Sequence, residues 1–213
     1  MTSCSIYLLN TEKLIATDFL QLLPLEERQR ADRLINPAIK NNFIIFRGFL
    51  RQTLSKYTKC SPEKIIINYG EHGKPSVDGI HFNLSHSENL CVIAVSSMPI
   101  GIDLEYTSKS IDFLKIAKRY FSSQDFNFIK AAPDEKQKTL FYELWCKREA
   151  YSKMLGISVW NTLNKSSFQE FKNCFFKKIK ISNFFYCILA CAQEVTVNSM
   201  EEIPTFEISH IYD

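Results

Sequence analysis

The stretch Pro99-Ile100-Gly101-Ile102-Asp103-Leu104-Glu105 decides how this chain is read. Side chains two apart on a β-strand point to the same face. In a strand here, Asp103 and Glu105 sit side by side while Ile102 and Leu104 turn into the core. Gly101 leaves room for another group to approach the backbone just before the acids. Two carboxylates about 7 Å apart repel one another unless a cation sits between them. An all-oxygen pair suits a hard ion such as Mg²⁺. The pattern also fits a strand whose solvated face carries acids by chance. Asn89 to Ser97 reads as a preceding strand, and Ser97-Met98-Pro99 separates the two.

Composition bounds the rest. At 213 residues the chain is one large domain or two small ones. A net charge of +3 leaves no general nucleic-acid footprint, though it suits a phosphate-rich or acidic partner. Seven cysteines, without a C-x-x-C pair, predict reduced thiols and a cytoplasmic protein. Cys187 and Cys191 lie in an apolar run and read as core. No signal peptide is evident, and no apolar run approaches the roughly 20 residues of a membrane span.

Upstream, Ser5–Leu9 reads as a first strand and Thr11–Leu34 as mostly helix broken at Pro24, its second half, with Arg28, Arg30 and Arg33, a solvated face or alternatively a phosphate-binding edge. Pro37 starts the next helix. In it Ile39, Phe43, Phe46, Phe49, Leu50 and Leu54 recur at helical spacing and face the core, leaving Arg47 and Arg51 available for an anion. Lys64–Tyr69 reads as a buried strand and Gly70–Pro75 as a tight turn presenting Lys74. Ile80–Leu84 is a strand ending in Ser85-His86-Ser87, a trio that also reads as a turn whose serines bond their own backbone.

Downstream, Ile111–Phe121 is helical, and Ser122 with Asp125 forms a box-like start to a short helix. Pro133–Leu155 is the longest helix, stopped by Gly156, with Glu149 and Lys153 one turn apart near Trp145. From Ser167 the residues favour strands, with a turn at Ser182-Asn183, solvent-facing Lys177, Lys178 and Lys180, and a last strand over Phe206–Ile211. The order predicts an α+β fold of two halves, residues 1–98 and 99–213. Lys74, Ser85, His86, Asp103, Glu105, Glu149 and Lys153 form a set with the logic of phosphoryl-type transfer.

GKP (73–75), FNLSHS (82–87), GIDLE (101–105) and WCKREAYSK (145–153), in this order and spacing, resemble the motifs of the Sfp-type 4′-phosphopantetheinyl transferases; KRYFS (118–122) resembles the segment between the last two. The resemblance covers Glu71 to Gly156 and implies two similar α+β halves in pseudo-twofold arrangement. Coenzyme A would lie between them: the N-terminal half is the nucleotide side, the C-terminal half the metal and carrier-protein side. It implies transfer of the phosphopantetheine arm to a serine of an acyl or peptidyl carrier protein, with release of 3′,5′-ADP, by a monomer that uses neither nucleic acid nor membrane. Asp103, Glu105 and Glu149 match the Mg²⁺ carboxylates, and Glu149 is also a candidate base. Ser85 and His86 match phosphate contacts, Lys74 and Pro75 the turn against the nucleotide, and Lys153 the lysine near the pyrophosphate. Arg30 and Arg47 are candidates for the 3′-phosphate, and Asp125 stands where some relatives carry a glutamate proposed as base. Arg148 departs from a lysine in the family, keeping the charge with a different geometry. Phe126, Ile129, Ile157, Val159 and Trp160 flank the site and are expected either to dock the carrier or to pack as core. A metal-dependent nuclease would give GKP and SHS no role. A relative that binds without transferring is at odds with the complete set of acids and Lys153.

Overall fold

The computed structural model describes residues 2–171 and 173–203. The first strand, β1 (Thr2–Asn10), is followed by a 3₁₀ segment Ala16–Leu22, then α1 (Leu25–Asp32) and α2 (Pro37–Thr58). Pro62–Lys64 is a 3₁₀ turn, and β2 (Asn68–Tyr69) pairs with β3 (Pro75–Ser76). Then come β4 (His81–Ser87), β5 (Leu90–Ser96) and β6 (Ile100–Tyr106). Three helices follow, α3 (Phe113–Tyr120), α4 (Ser123–Lys130) and α5 (Asp134–Leu155), then a 3₁₀ turn Val159–Asn161 and the one-turn α6 (Ser167–Glu170). The strands β7 (Phe175–Lys178), β8 (Phe185–Cys191) and β9 (Val195–Ile203) end the described chain.

Two sheets stack between two long helices. One has the order β4-β5-β1-β9 and the other β6-β8-β7. Strand alternation divides the apolar residues between three layers of core. Tyr7, Leu9, Cys91, Ile93 and Val95 pack with Phe46, Phe49, Leu50 and Leu54 of α2. On the opposite faces, Cys4, Ile6, Leu8, Val92 and Ala94 meet Ile100, Ile102, Leu104, Cys187 and Leu189 of the second sheet. Tyr186, Ile188 and Ala190 turn outward onto Phe141, Cys146 and Ala150 of α5. Each sheet thus carries one 22-residue helix on its outer face, and the two inner faces bury one another.

Several expectations are corrected. Thr11–Ile15 is not helical: the Thr11 N–H bonds Asn89 O at 2.8 Å, so the chain turns back beside β5 before the 3₁₀ segment. Only Asn68–Tyr69 of the predicted buried strand pairs, and both residues are exposed; Ile65 is buried while Ile66 is 76% exposed. Arg51 fixes that segment by donating to Pro62 O at 2.8 Å and Ile65 O at 2.9 Å. Ser85-His86-Ser87 is not a turn but the end of β4, paired with β5 through Ser87. Residues 167–170 form a helix where strand was expected, because Asp125 accepts from both the backbone and the hydroxyl of Ser167. The polar β9 was not anticipated; it pairs parallel to β1 and completes the first sheet from beyond residue 98. The predicted strand over Phe206–Ile211 lies outside the described residues. All seven cysteines are free, and Cys187 and Cys191 are core residues.

Candidate active site

The motif residues converge where the two sheets and α5 meet. β6 lies directly on α5 at Gly101, where a Cβ would stand 1.9 Å from Ala150 O and 2.5 Å from Met154 N. The group that Gly101 admits is therefore the helix backbone itself. This close approach brings the Asp103 side of β6 against the Glu149–Lys153 face of α5. The Lys153 ammonium donates to Asp103 Oδ1 at 2.6 Å. Asp103 is 3% exposed, and its Oδ2 is buried without a partner. On the same strand face, Glu105 Oε1 accepts from the Trp145 indole at 3.2 Å.

The electrostatics record crowding of like charge. Burial, then the neighbouring Asp103 charge, push the Glu105 carboxyl up to about 7. Glu149 is also raised, by burial and then by Asp103. Burial disfavours the Lys153 ammonium, but the Asp103 charge and hydrogen bond outweigh it and raise its pKa. Among the described residues no three acidic, imidazole or thiol groups converge closely enough to hold a metal ion as they stand. The donor chemistry nevertheless fits a hard cation. All three carboxylates are oxygen donors, burial and then the Asp103 charge raise the proton affinity of the other two, and one buried oxygen of Asp103 lacks a partner.

A cavity of about 510 Å³ opens in the first half, with Arg30, Phe43, Phe46, Arg47, Pro75 and His86 among its walls. A smaller one of about 220 Å³ adjoins it, bounded by Lys74, Ser152, Lys153 and Gly156, and shares Gly73, Pro75, Asn83 and Leu84 with the first. His86 stacks on Phe46 at 4.6 Å. Its pKa is lowered by desolvation and then by the Lys153 charge, so the ring is neutral at neutral pH. Lys74 crosses the cleft and donates to Met154 O at 2.5 Å, capping the C-terminal end of α5. Phe46 and Tyr69 were not foreseen as cavity walls. Phe46 lay in a core-facing stripe, and Tyr69 at the end of a presumed buried strand.

Other candidates sit differently from expectation. Arg47 and Arg51 both clamp Glu27 rather than standing unpaired. Arg47 also donates to the Tyr69 hydroxyl at 2.7 Å, and with Arg30 it still borders the cavity. Arg30 is exposed and lies over the Phe43 ring at 5.3 Å. Asp125, a candidate base by resemblance, is enclosed, 0% exposed, and is held as the anion of a buried ion pair. It pairs with the buried Arg148 at 2.6 Å and accepts from the hydroxyls of Ser122 and Ser167. Of the expected docking residues Ile129 is fully buried and Phe126 packs against the core, whereas Trp160 is 61% exposed.

A family model described as the 4′-phosphopantetheinyl transferase superfamily matches residues 99–198. The 4′-phosphopantetheinyl transferase HetI of Nostoc sp. is 36% identical over 146 residues, which are 65% of this chain and 62% of that relative. A putative 4′-phosphopantetheinyl transferase of Synechocystis sp. is 34% identical over 166 residues, 75% of this chain and 68% of the relative. The transferase Sfp of Bacillus subtilis is 31% identical over 141 residues, 65% of this chain and 62% of the relative. The chain thus spans under two thirds of the length of HetI and Sfp. With the four motifs gathered on one cleft and the Synechocystis match extending over 68% of that protein, the chain belongs to the 4′-phosphopantetheinyl transferase superfamily.

Proposed function

We propose that this protein transfers the 4′-phosphopantetheine arm of coenzyme A to a serine hydroxyl of an apo acyl or peptidyl carrier protein. The serine oxygen forms a bond to the phosphorus that bears the pantetheine arm. The bond from that phosphorus to the bridging oxygen breaks, and 3′,5′-ADP leaves. The observation that carries this reading is the meeting of Asp103, Glu105, Glu149 and Lys153, with Lys153 bordering the smaller of two adjoining cavities.

The residues divide the work by their environments. Arg30, Arg47, His86 and Pro75 border the larger cavity, which we assign to the nucleotide; its apolar floor of Phe43 and Phe46 suits a base and its arginines the 3′-phosphate. Residues 1–98 are accordingly the nucleotide side and 99–213 the side of the transferred phosphorus. Neutral His86 offers an N–H to a phosphate oxygen without adding charge. Lys153 remains cationic, because its pKa is raised, and neutralises the departing phosphate. Glu149, whose proton affinity is raised by burial and then by the Asp103 charge, is suited to take the serine proton. Asp103, Glu105 and Glu149 would hold Mg²⁺, which when bound neutralises pyrophosphate charge. Trp160 is the exposed apolar group we place in contact with the carrier.

The test is the intact mass of an apo carrier protein incubated with this protein, coenzyme A and Mg²⁺, beside an Asp103→Ala control. A gain of one phosphopantetheine arm that the control abolishes supports the assignment. No gain with several unrelated carriers, while coenzyme A still binds, overturns it.

A further inference from the structure

Alternate side chains of β4 finish the free edge of β6. Asn83 Oδ1 accepts the Ile102 N–H at 2.8 Å, Ser85 Oγ that of Leu104 at 3.2 Å, and Ser87 Oγ that of Tyr106 at 3.0 Å. The two strands belong to different sheets, so these three side chains replace a backbone ladder with a rung at every second residue. All three are buried.

The middle rung carries more than its neighbours. Ser85 Oγ also donates to Asp103 Oδ1 at 3.1 Å and accepts from Lys153 Nζ at 3.0 Å. A serine hydroxyl has one proton and two lone pairs. Asp103 takes the proton, and the Leu104 amide and Lys153 take the lone pairs. The side chain is 95% enclosed, so no capacity remains for a ligand oxygen. Its neighbour His86 points the other way, to the nucleotide cavity.

We infer that Ser85 is a positioning residue that holds the Asp103 carboxylate and the Lys153 ammonium in register on the β6 edge, and does not itself contact the phosphates. This departs from the phosphate-contact role that the family resemblance implies for Ser85. It rests on the transferase reading only for its catalytic consequence; the geometric part is independent. Removing the hydroxyl frees the carboxylate and the ammonium to drift, and misplacement by about 1 Å can cost on the order of 10²-fold in rate.

Two experiments test it. The first is a double-mutant cycle on the melting temperature of the full, ligand-free chain, with Ser85→Ala, Lys153→Met and the pair. Because the residues share one network, the double variant is expected to lose clearly less than the sum of the single losses; additive losses overturn the inference whether or not the chain proves to be a transferase. The second separates binding from turnover. Ser85→Ala is expected to bind coenzyme A in EDTA within about threefold of the parent, while kcat at saturating coenzyme A falls at least tenfold and Ser85→Thr recovers most of it. A tenfold or greater loss of coenzyme A affinity with kcat unchanged shows a direct phosphate contact and overturns the inference. Should Ser85→Ala fail to fold, Ser85→Cys replaces it in both experiments, a thiol being a poor acceptor.

Discussion

Replacing Gly101 by alanine should uncouple the acids of β6 from the lysine of α5. The added Cβ would stand 1.9 Å from Ala150 O and 2.5 Å from Met154 N, both of them backbone atoms that no rotamer change can move aside. Carbon and carbonyl oxygen do not settle closer than about 3.3 Å, so the helix and strand must part by roughly 1.4 Å. Overpacking of this kind costs about 1–3 kcal/mol, and two backbone obstacles place it near the upper end. For a chain of this size each kcal/mol lowers Tm by about 2–4 °C, giving a fall of roughly 6–12 °C. The same displacement stretches the 2.6 Å contact between Lys153 and Asp103 to about 4 Å, beyond hydrogen-bonding range. Transfer per folded molecule is then expected to drop by about 10²-fold. Calorimetry of the purified variant gives the first quantity, and single-turnover transfer well below its Tm gives the second. An unchanged Tm would refute the close packing of β6 on α5. A lowered Tm with full turnover would refute the claim that this packing sets the spacing of the acids and the lysine.

Three further outcomes follow from buried charge and exposed surface. Burial favours protonation of Glu27, but hydrogen bonds from Arg51 and Arg47 overcome it and hold the carboxyl below its ordinary 4.5. Its stabilisation is therefore complete above that value and is lost as pH falls through the lower folded value; urea midpoints should fall in that acid range in the parent and less so in Glu27→Gln, which at neutral pH is already weaker by about 3–5 kcal/mol because Arg51 is left buried without its partner. Asp125→Asn strands Arg148, 1% exposed, and is expected to cost a similar 3–5 kcal/mol in chemical denaturation; kcat per folded molecule should stay within about threefold, and a hundredfold loss would restore Asp125 as a base. Trp160→Ala should raise KM for carrier protein several-fold and leave KM for coenzyme A unchanged, since the indole is exposed and forms no part of the cavity walls; equal carrier KM values would exclude it from docking.

What the sequence discloses follows the range of the interaction. The β6 strand, the long α5 helix and its Gly156 stop were legible because each rests on neighbours within a few residues: alternation of two, a period of 3.6, and a left-handed cap at φ +70°. Asp103 with Glu105, and Glu149 with Lys153, were each legible as pairs because their spacing places them on one face; the chemistry of phosphoryl transfer and the motif order joined the pairs. Partners of charge were not. Arg47 and Arg51 sit one turn apart, as spacing requires, yet whether they serve a ligand or a protein anion depended on Glu27, 20 and 24 residues away on α1. Arg51 further held Pro62 and Ile65 in place, and so a run of isoleucines that reads as a buried strand became a loop with Ile66 in solvent. Likewise β9 carries little apolar signal, because it joins the sheet through its backbone beside β1.

The links between the halves and the proposed chemistry use the same atoms. Lys74 from the first half caps α5 of the second at Met154 O, and Met154 N is among the α5 backbone atoms that crowd Gly101. Asn83, Ser85 and Ser87 complete the edge of β6, and Ser85 also fixes Asp103 and Lys153. Burying a carboxylate such as Asp103 is costly unless it is paired, and the pairing here comes from a lysine on one element and a hydroxyl on another. The acids are therefore held in place by the joint between the halves rather than by either half alone. A substitution that loosens this joint is expected to act on stability and turnover together, whereas one at the exposed Trp160 is expected to act on the proposed carrier docking alone. That separation is what makes the cleft, rather than either sheet by itself, the functional unit.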